Sequence, residues 1–131
     1  MLLVDSSVWI DYFNGTATHQ SDYLDKILGI EDIIIGDLIL AEVLQGFRHD
    51  KDYKAAKHAM FAFPVLGLVG NTIDLKSAYN YRYLRKQGIT IRKTIDCLIA
   101  TFCIENALEL LHSDVDFDPF EKHLKLKVVH P

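Results

Sequence analysis

The sequence predicts an α/β fold in which a short parallel sheet is covered by helices on both faces. Three observations carry this. The strand candidates are short and almost continuously apolar, the mark of strands buried on both faces. The segments between them have helical periodicity, so strand and helix alternate along the chain. Glycines and capping residues separate the elements cleanly, with no repeat, linker or low-complexity stretch.

Met1 to Asp5 reads as the first strand. A helix begins at Val8–Phe13 and stops at Asn14-Gly15, where glycine tolerates the left-handed turn that ends helices. Thr18 to Leu28 is a second helix, with Tyr23, Leu24, Ile27 and Leu28 on one face. Ile33-Ile34-Ile35 is β-branched throughout and reads as a strand. Asp37 is placed to cap a helix that runs to Gln45 and closes at Gly46. Asp52 to Phe61 is an amphipathic helix, and Pro64–Leu68 a third strand. Asn71-Thr72-Ile73-Asp74 has the form of a cap with an acid three residues in, opening a helix to Gln87 that Gly88 ends. Thr94 caps the next helix, which is apolar almost all round from Ile95 to Ile104 and therefore buried. Leu108–His112 is a fourth strand, Asp118-Pro119-Phe120-Glu121 a capped helix start, and Lys127–His130 a last strand.

A chain of 131 residues, half of them hydrophobic, suits one domain over residues 1–131 with a substantial core. No run of 18 apolar residues is present, and Asp5 and Asp11 interrupt any signal-like segment, so the chain reads as cytoplasmic. Cys97 and Cys103 fall six residues apart on one helix, pointing to different faces among apolar neighbours, and read as small core hydrophobes. The net charge of −4 hides a local bias. Lys76, Arg82, Arg85, Lys86, Arg92 and Lys93 occur without an intervening acid and are interleaved with Tyr79, Tyr81 and Tyr83. Cations recruit phosphates and aromatic rings stack on bases, so this segment is a candidate nucleic-acid contact; the competing reading is an ordinary solvated helix face.

Five carboxylates sit in apolar settings: Asp5 after Leu2-Leu3-Val4, Glu42 inside Leu38–Leu44, Asp96 within Ile95–Ala100, and Asp114 and Asp116 after Leu108–Ser113. No Lys or Arg lies within five residues of Asp5, Glu42 or Asp114. Burying an ionised carboxylate costs several kcal/mol unless it is paired or metal-bound. In open α/β sheets the functional crevice lies beyond the carboxyl ends of the strands. Asp5, Asp114 and Asp116 fall at such ends, and Glu42 and Asp96 near the starts of helices, so all five can meet in one crevice. An all-oxygen ligand set suits Mg²⁺ or Mn²⁺ and not zinc. Metal-assisted phosphodiester hydrolysis is the chemistry this equipment serves best.

Four stretches, in order, carry a family resemblance: Asp5-Ser6-Ser7-Val8-Trp9-Ile10-Asp11, Ala41-Glu42-Val43-Leu44-Gln45-Gly46, Thr94-Ile95-Asp96-Cys97-Leu98-Ile99-Ala100 and His112-Ser113-Asp114-Val115-Asp116-Phe117-Asp118. They resemble the PIN-domain ribonucleases, and among them the VapC toxins of toxin–antitoxin pairs. The resemblance implies a compact three-layer α/β/α sandwich, an Mg²⁺- or Mn²⁺-dependent endoribonuclease, a homodimer, and inhibition by a small cognate antitoxin of the VapB kind. Position by position, Asp5, Glu42, Asp96 and Asp114 match the family's acidic quartet, Asp116 a more variable fifth acid, and Ser6 the small hydroxyl residue after the first Asp. Val8, Trp9, Tyr12 and Phe13, with the Leu38–Phe47 helix, are where an antitoxin's apolar anchor is expected, and the helices around Asn71–Gln87 and Ile95–Asn106 where dimer contacts are.

Two other readings are open. A phosphatase using Asp5 as covalent nucleophile wants a second Asp two positions on, where this chain has Ser7. A non-catalytic RNA-binding or regulatory module would have lost one or more of the acids, all of which are present. Asp11 reads as an exposed helix residue, Asp118 as a cap, His112 as a strand-end histidine satisfying local hydrogen bonds, and Trp9 as core or dimer surface.

Overall fold

A computed structural model describes residues 1–70 and 72–131. Five strands form one parallel sheet: β1 (Leu2–Val4), β2 (Ile33–Gly36), β3 (Val65–Leu66), β4 (Glu109–Leu111) and β5 (Lys127–Val128), in the order β3-β2-β1-β4-β5. Seven α-helices connect them among the described residues: α1 (Ser6–Asn14), α2 (His19–Ile27), α3 (Asp37–Gln45), α4 (Asp50–Met60), α5 (Ile73–Lys86), α6 (Thr94–Glu105) and α7 (Asp118–Leu124). Parallel crossovers are right-handed. Helices α1–α4 carry the chain from β1 outward to β3 and so cover one face. Helices α5–α7 return it past β1 to β5 and cover the other, with α1 packed on α2 and α3, and α5 on α6 and α7. The predicted α/β/α sandwich is the observed architecture. No described helix is long and apolar enough to cross a membrane.

Connections leave β1 and β4 in opposite directions, so the sheet's switch point lies between these neighbouring strands. Val4 pairs with Leu111, and the Asp5 N–H donates to the Leu111 carbonyl at 2.9 Å. The carboxyl ends of both strands are thereby level. Leu2, Leu3, Val4, Leu110 and Leu111 are buried between the helix layers, which explains the uninterrupted apolar runs. Gly36 ends β2 where a Cβ would sit 2.5 Å from Leu68 Cδ1, so the close approach of the β3 exit demands glycine.

Several caps differ from expectation. Asp37 is the first residue of α3, not its cap; its Oδ1 accepts from Leu38 N–H and, at 3.0 Å, from Leu68 N–H, tying α3 to the β3 exit. Thr94 is likewise the first residue of α6, behind Lys93, and Asp118 the first of α7, behind Phe117. Helix α4 starts two residues early, at Asp50, and β3 shrinks to two residues. The expected cap at Asn71 lies outside the described residues; Thr72 precedes α5 with φ 78° and no side-chain cap bond. Gly15 ends α1 in the left-handed conformation, as expected. Asp11 is half-buried, not exposed. Both cysteines are buried and free, and burial pushes the Cys103 thiol up to about 12, consistent with inert core residues.

Candidate metal centre

The candidate acids stand around the switch point, each delivered by a different device. Asp5 follows β1 and caps α1, its Oδ2 accepting from the Ser7 N–H at 3.0 Å and the Ser7 hydroxyl at 2.6 Å. Asp96 sits in the first turn of α6, where the helix dipole favours an anion. Asp114 caps a 3₁₀ turn, Val115–Phe117, by accepting from the Asp116 N–H at 2.9 Å. Glu42 is not near the start of its helix: it lies in the second turn of α3 and reaches inward because α3 packs on α1. Its Oε1 accepts from the Ser6 hydroxyl, so Ser6 orients Glu42.

Oxygens of Asp96, Asp114 and Asp116 all lie within 4.8 Å of one another. Asp5 adjoins this trio through Asp96: burial first, and the charge on Asp5 second, raise the Asp96 carboxyl from 3.8 to about 6. Burial likewise pushes Asp5 up, against hydrogen bonds from Ser7, and Glu42 adds to the rise. Asp5 and Asp96 are only 4 % and 5 % exposed. Asp96 Oδ2 is buried with no hydrogen-bond partner among the described residues. A buried, unpartnered carboxylate oxygen beside three other acids is the environment a hard divalent cation relieves, and the donor set is entirely oxygen. The residues fit Mg²⁺ or Mn²⁺.

Two cations reach the open side. Arg92 Nη2 is 2.8 Å from Asp116 Oδ2, and Lys93 Nζ 4.0 Å from Asp114 Oδ2. The basic segment is thus divided. Arg92 and Lys93 meet the acids, whereas Arg82, Arg85 and Lys86 are exposed on α5, with Arg85 lying 5.7 Å from the Tyr81 ring centroid. Lys76 pairs with Glu105 at 2.8 Å, away from the acids.

Two residues have roles that sequence reasoning missed. Ser7 donates to Asp5 and accepts from the Ser113 N–H at 3.1 Å, so it joins the ends of β1 and β4 across the switch point. Its position two residues after a strand-end Asp was the available signal. His112 is buried, its Nδ1 accepting from the Asp114 N–H at 3.1 Å and its ring 4.9 Å from that of Phe117. A local bond was expected; its hold on a candidate ligand was not. An accepting Nδ1 places the proton of the neutral ring on Nε2, and burial favours that neutral form. Trp9 is core, stacked on Phe13 at 5.8 Å, and Val8 is fully buried, so neither offers docking surface; Tyr12 and Phe13 are partly exposed.

Comparison with known proteins identifies the family and the fold. The PIN domain profile matches residues 2–122. Ribonuclease VapC11 of Mycobacterium tuberculosis is 32 % identical over 121 residues, 90 % of each chain. Among solved structures, FitAcB of Neisseria gonorrhoeae superposes with a TM-score of 0.78 at 17 % identity, covering 100 % of this chain and 98 % of that one. VapBC2 of Rickettsia felis, bound to promoter DNA, gives a TM-score of 0.77 at 14 % identity over 98 % and 96 % of the two chains.

Proposed function

This chain belongs to the PIN-domain family, and from that premise we propose that it is a divalent-metal-dependent endoribonuclease serving as the toxin of a toxin–antitoxin pair. The observation that supports this most is the buried, unpartnered Asp96 Oδ2 among converging acids. Asp5, Asp96, Asp114 and Asp116 would hold Mg²⁺ or Mn²⁺, with Glu42 completing the set directly or through water. Such an ion polarises a phosphoryl oxygen and lowers the pKa of a bound water. The chain's own residues prepare the place. Ser7 holds Asp5, Ser6 holds Glu42 and His112 holds the backbone of Asp114, so little reorganisation is left for the reaction. Arg92 and Lys93 line the open side, where RNA phosphates would approach, and Arg82, Arg85 and Lys86 extend the positive surface along α5.

An acidic crevice of this kind also suits an inhibitor that inserts Arg or Lys among the carboxylates. A small antitoxin with a basic segment of that type is the partner we infer, its apolar anchor on Tyr12, Phe13 and the exposed side of α3. Leu75, Tyr79 and Tyr83 are exposed on α5, and that helix is where a homodimer contact is expected.

Incubation of purified protein with mixed RNA tests the reading. Cleavage is expected with Mg²⁺ or Mn²⁺ and none with EDTA, and Asp5→Asn should be inactive with its fold intact. Cleavage that persists in EDTA, or full activity in Asp5→Asn, would overturn it.

A further inference from the structure

Val115 is 74 % exposed although it stands between two candidate metal ligands, Asp114 and Asp116. It forms one wall of an open concavity of about 540 Å³ whose other apolar walls are Ile89 and Pro119 and whose rim carries Glu121, Lys122 and His123. The walls lie close along the chain to the charged site. Ile89 belongs to the same loop as Arg92 and Lys93, and Val115 to the same 3₁₀ turn as Asp116. Two elements thus each present a charged part to the acidic crevice and an apolar part to the concavity beside it.

A nucleotide has the same division: an anionic phosphate and, one sugar away, a base with apolar faces and a polar edge. We propose that this concavity is a base subsite, holding the nucleobase next to the scissile phosphate and selecting which bond is cut. The proposal rests on the ribonuclease reading above. Aliphatic walls bury the faces of any base alike; they do not choose among bases, but they hold the base against the rim that does, so a weakened wall also weakens the choice. Choice comes from the rim, where Lys122 donates and Asp118 accepts, because a polar group left unpaired by the wrong base is penalised. Glu121 is already engaged by His130 at 2.7 Å, which fixes one side of that rim. Single-stranded RNA is the form that can present a base in this way, since its bases are free to splay out.

The test is cleavage of a pool of single-stranded oligoribonucleotides with randomised internal sequence in Mg²⁺, followed by sequencing of the product ends. Wild type should show a base preference at one nucleotide adjoining the cut. Val115→Ser and Ile89→Ala, which remove apolar wall, should each reduce that preference roughly tenfold while preferences elsewhere persist. Lys122→Gln should change which base is preferred at that same nucleotide. A wild type indifferent to the adjoining base, or wall variants whose profiles superimpose on wild type, would overturn the subsite alone. A pool left uncut by wild type in both Mg²⁺ and Mn²⁺ would overturn the ribonuclease reading first, and the subsite with it.

Discussion

The inner and outer halves of the acidic site solve the same electrostatic problem differently. Asp5 and Asp96, at the end of β1 and the start of α6, are buried, and no Lys or Arg pairs with either among the described residues. Their carboxyls are pushed up, by burial first. Asp114 and Asp116 sit half-buried on a short turn, each facing a cation from the loop before α6. Elements of the sheet and its helices hold the inner pair rigidly in an unfavourable place, whereas the outer pair brings its own counter-ions. On the proposed reading the inner half is completed by the metal ion, and the outer half exchanges its cations for it.

Removing an inner charge should have the largest effect. Asp96→Asn is expected to lower cleavage more than roughly a hundredfold, since the ligand charge is lost. The same change should stabilise the protein in EDTA at neutral pH. The Asp96 carboxyl, raised to about 6 from 3.8, binds its proton more tightly folded than unfolded. Its favourable contribution is therefore complete below about pH 3.8 and lost as pH rises through about 6. Urea denaturation in EDTA should show wild type losing about 1–2 kcal/mol across that window relative to Asp96→Asn, less than two pKa units would carry because water at the crevice mouth screens the charge. Parallel pH profiles for the two proteins would contradict the inner half as described.

His112 sharpens the comparison, because Asp114 sits on no long helix or strand and its backbone N–H is held by the His112 ring. Asn places an acceptor near Nδ1, whereas Gln places one near Nε2. His112→Gln should weaken Mn²⁺ binding about 10–100-fold, and His112→Asn should recover most of that loss. Mn²⁺ titration followed by electron paramagnetic resonance gives both values, with thermal unfolding as the check on the fold. Equal losses in the two variants would reduce His112 to a packing residue.

Arg92 should give the smallest effect. An exposed ion pair contributes little, so Arg92→Gln is expected to tighten Mn²⁺ binding only about two- to five-fold without RNA, by removing a competitor for Asp116. The same variant should bind uncleavable RNA more weakly, with a salt dependence shallower by about one phosphate contact. Lys26→Gln, on α2, controls for charge removed at a distance. An effect equal to that control would show the outer half to be no more exchangeable than the rest of the surface.

The sequence by itself determined the alternation of buried strands and amphipathic helices, and with it the doubly covered sheet. Apolar runs, glycines and caps act within a few residues, so they are readable locally; Leu2-Leu3-Val4 and Ile33-Ile34-Ile35 are strands because only burial on both faces accommodates them. It also singled out acids that the structure brings together, Asp96, Asp114 and Asp116 among them, since a carboxylate beside an apolar run declares its own desolvation problem. Cap positions were less legible: Asp37, Thr94 and Asp118 are all one residue inside their helices, behind an extended Gly36 and Lys93 and behind a Phe117 already helical as it leaves the 3₁₀ turn. Only the tertiary structure decided who meets whom. Ser6 reaches Glu42 across 36 residues, Arg92 reaches Asp116 across 24, and Ser113 reaches Ser7 across 106. Those contacts follow from β1 lying beside β4 and from α3 packing on α1, arrangements set by closing the whole sheet, and no local pattern carries them. Trp9 became core and Val115 stayed exposed for the same reason: burial depends on what the rest of the chain places opposite a side chain.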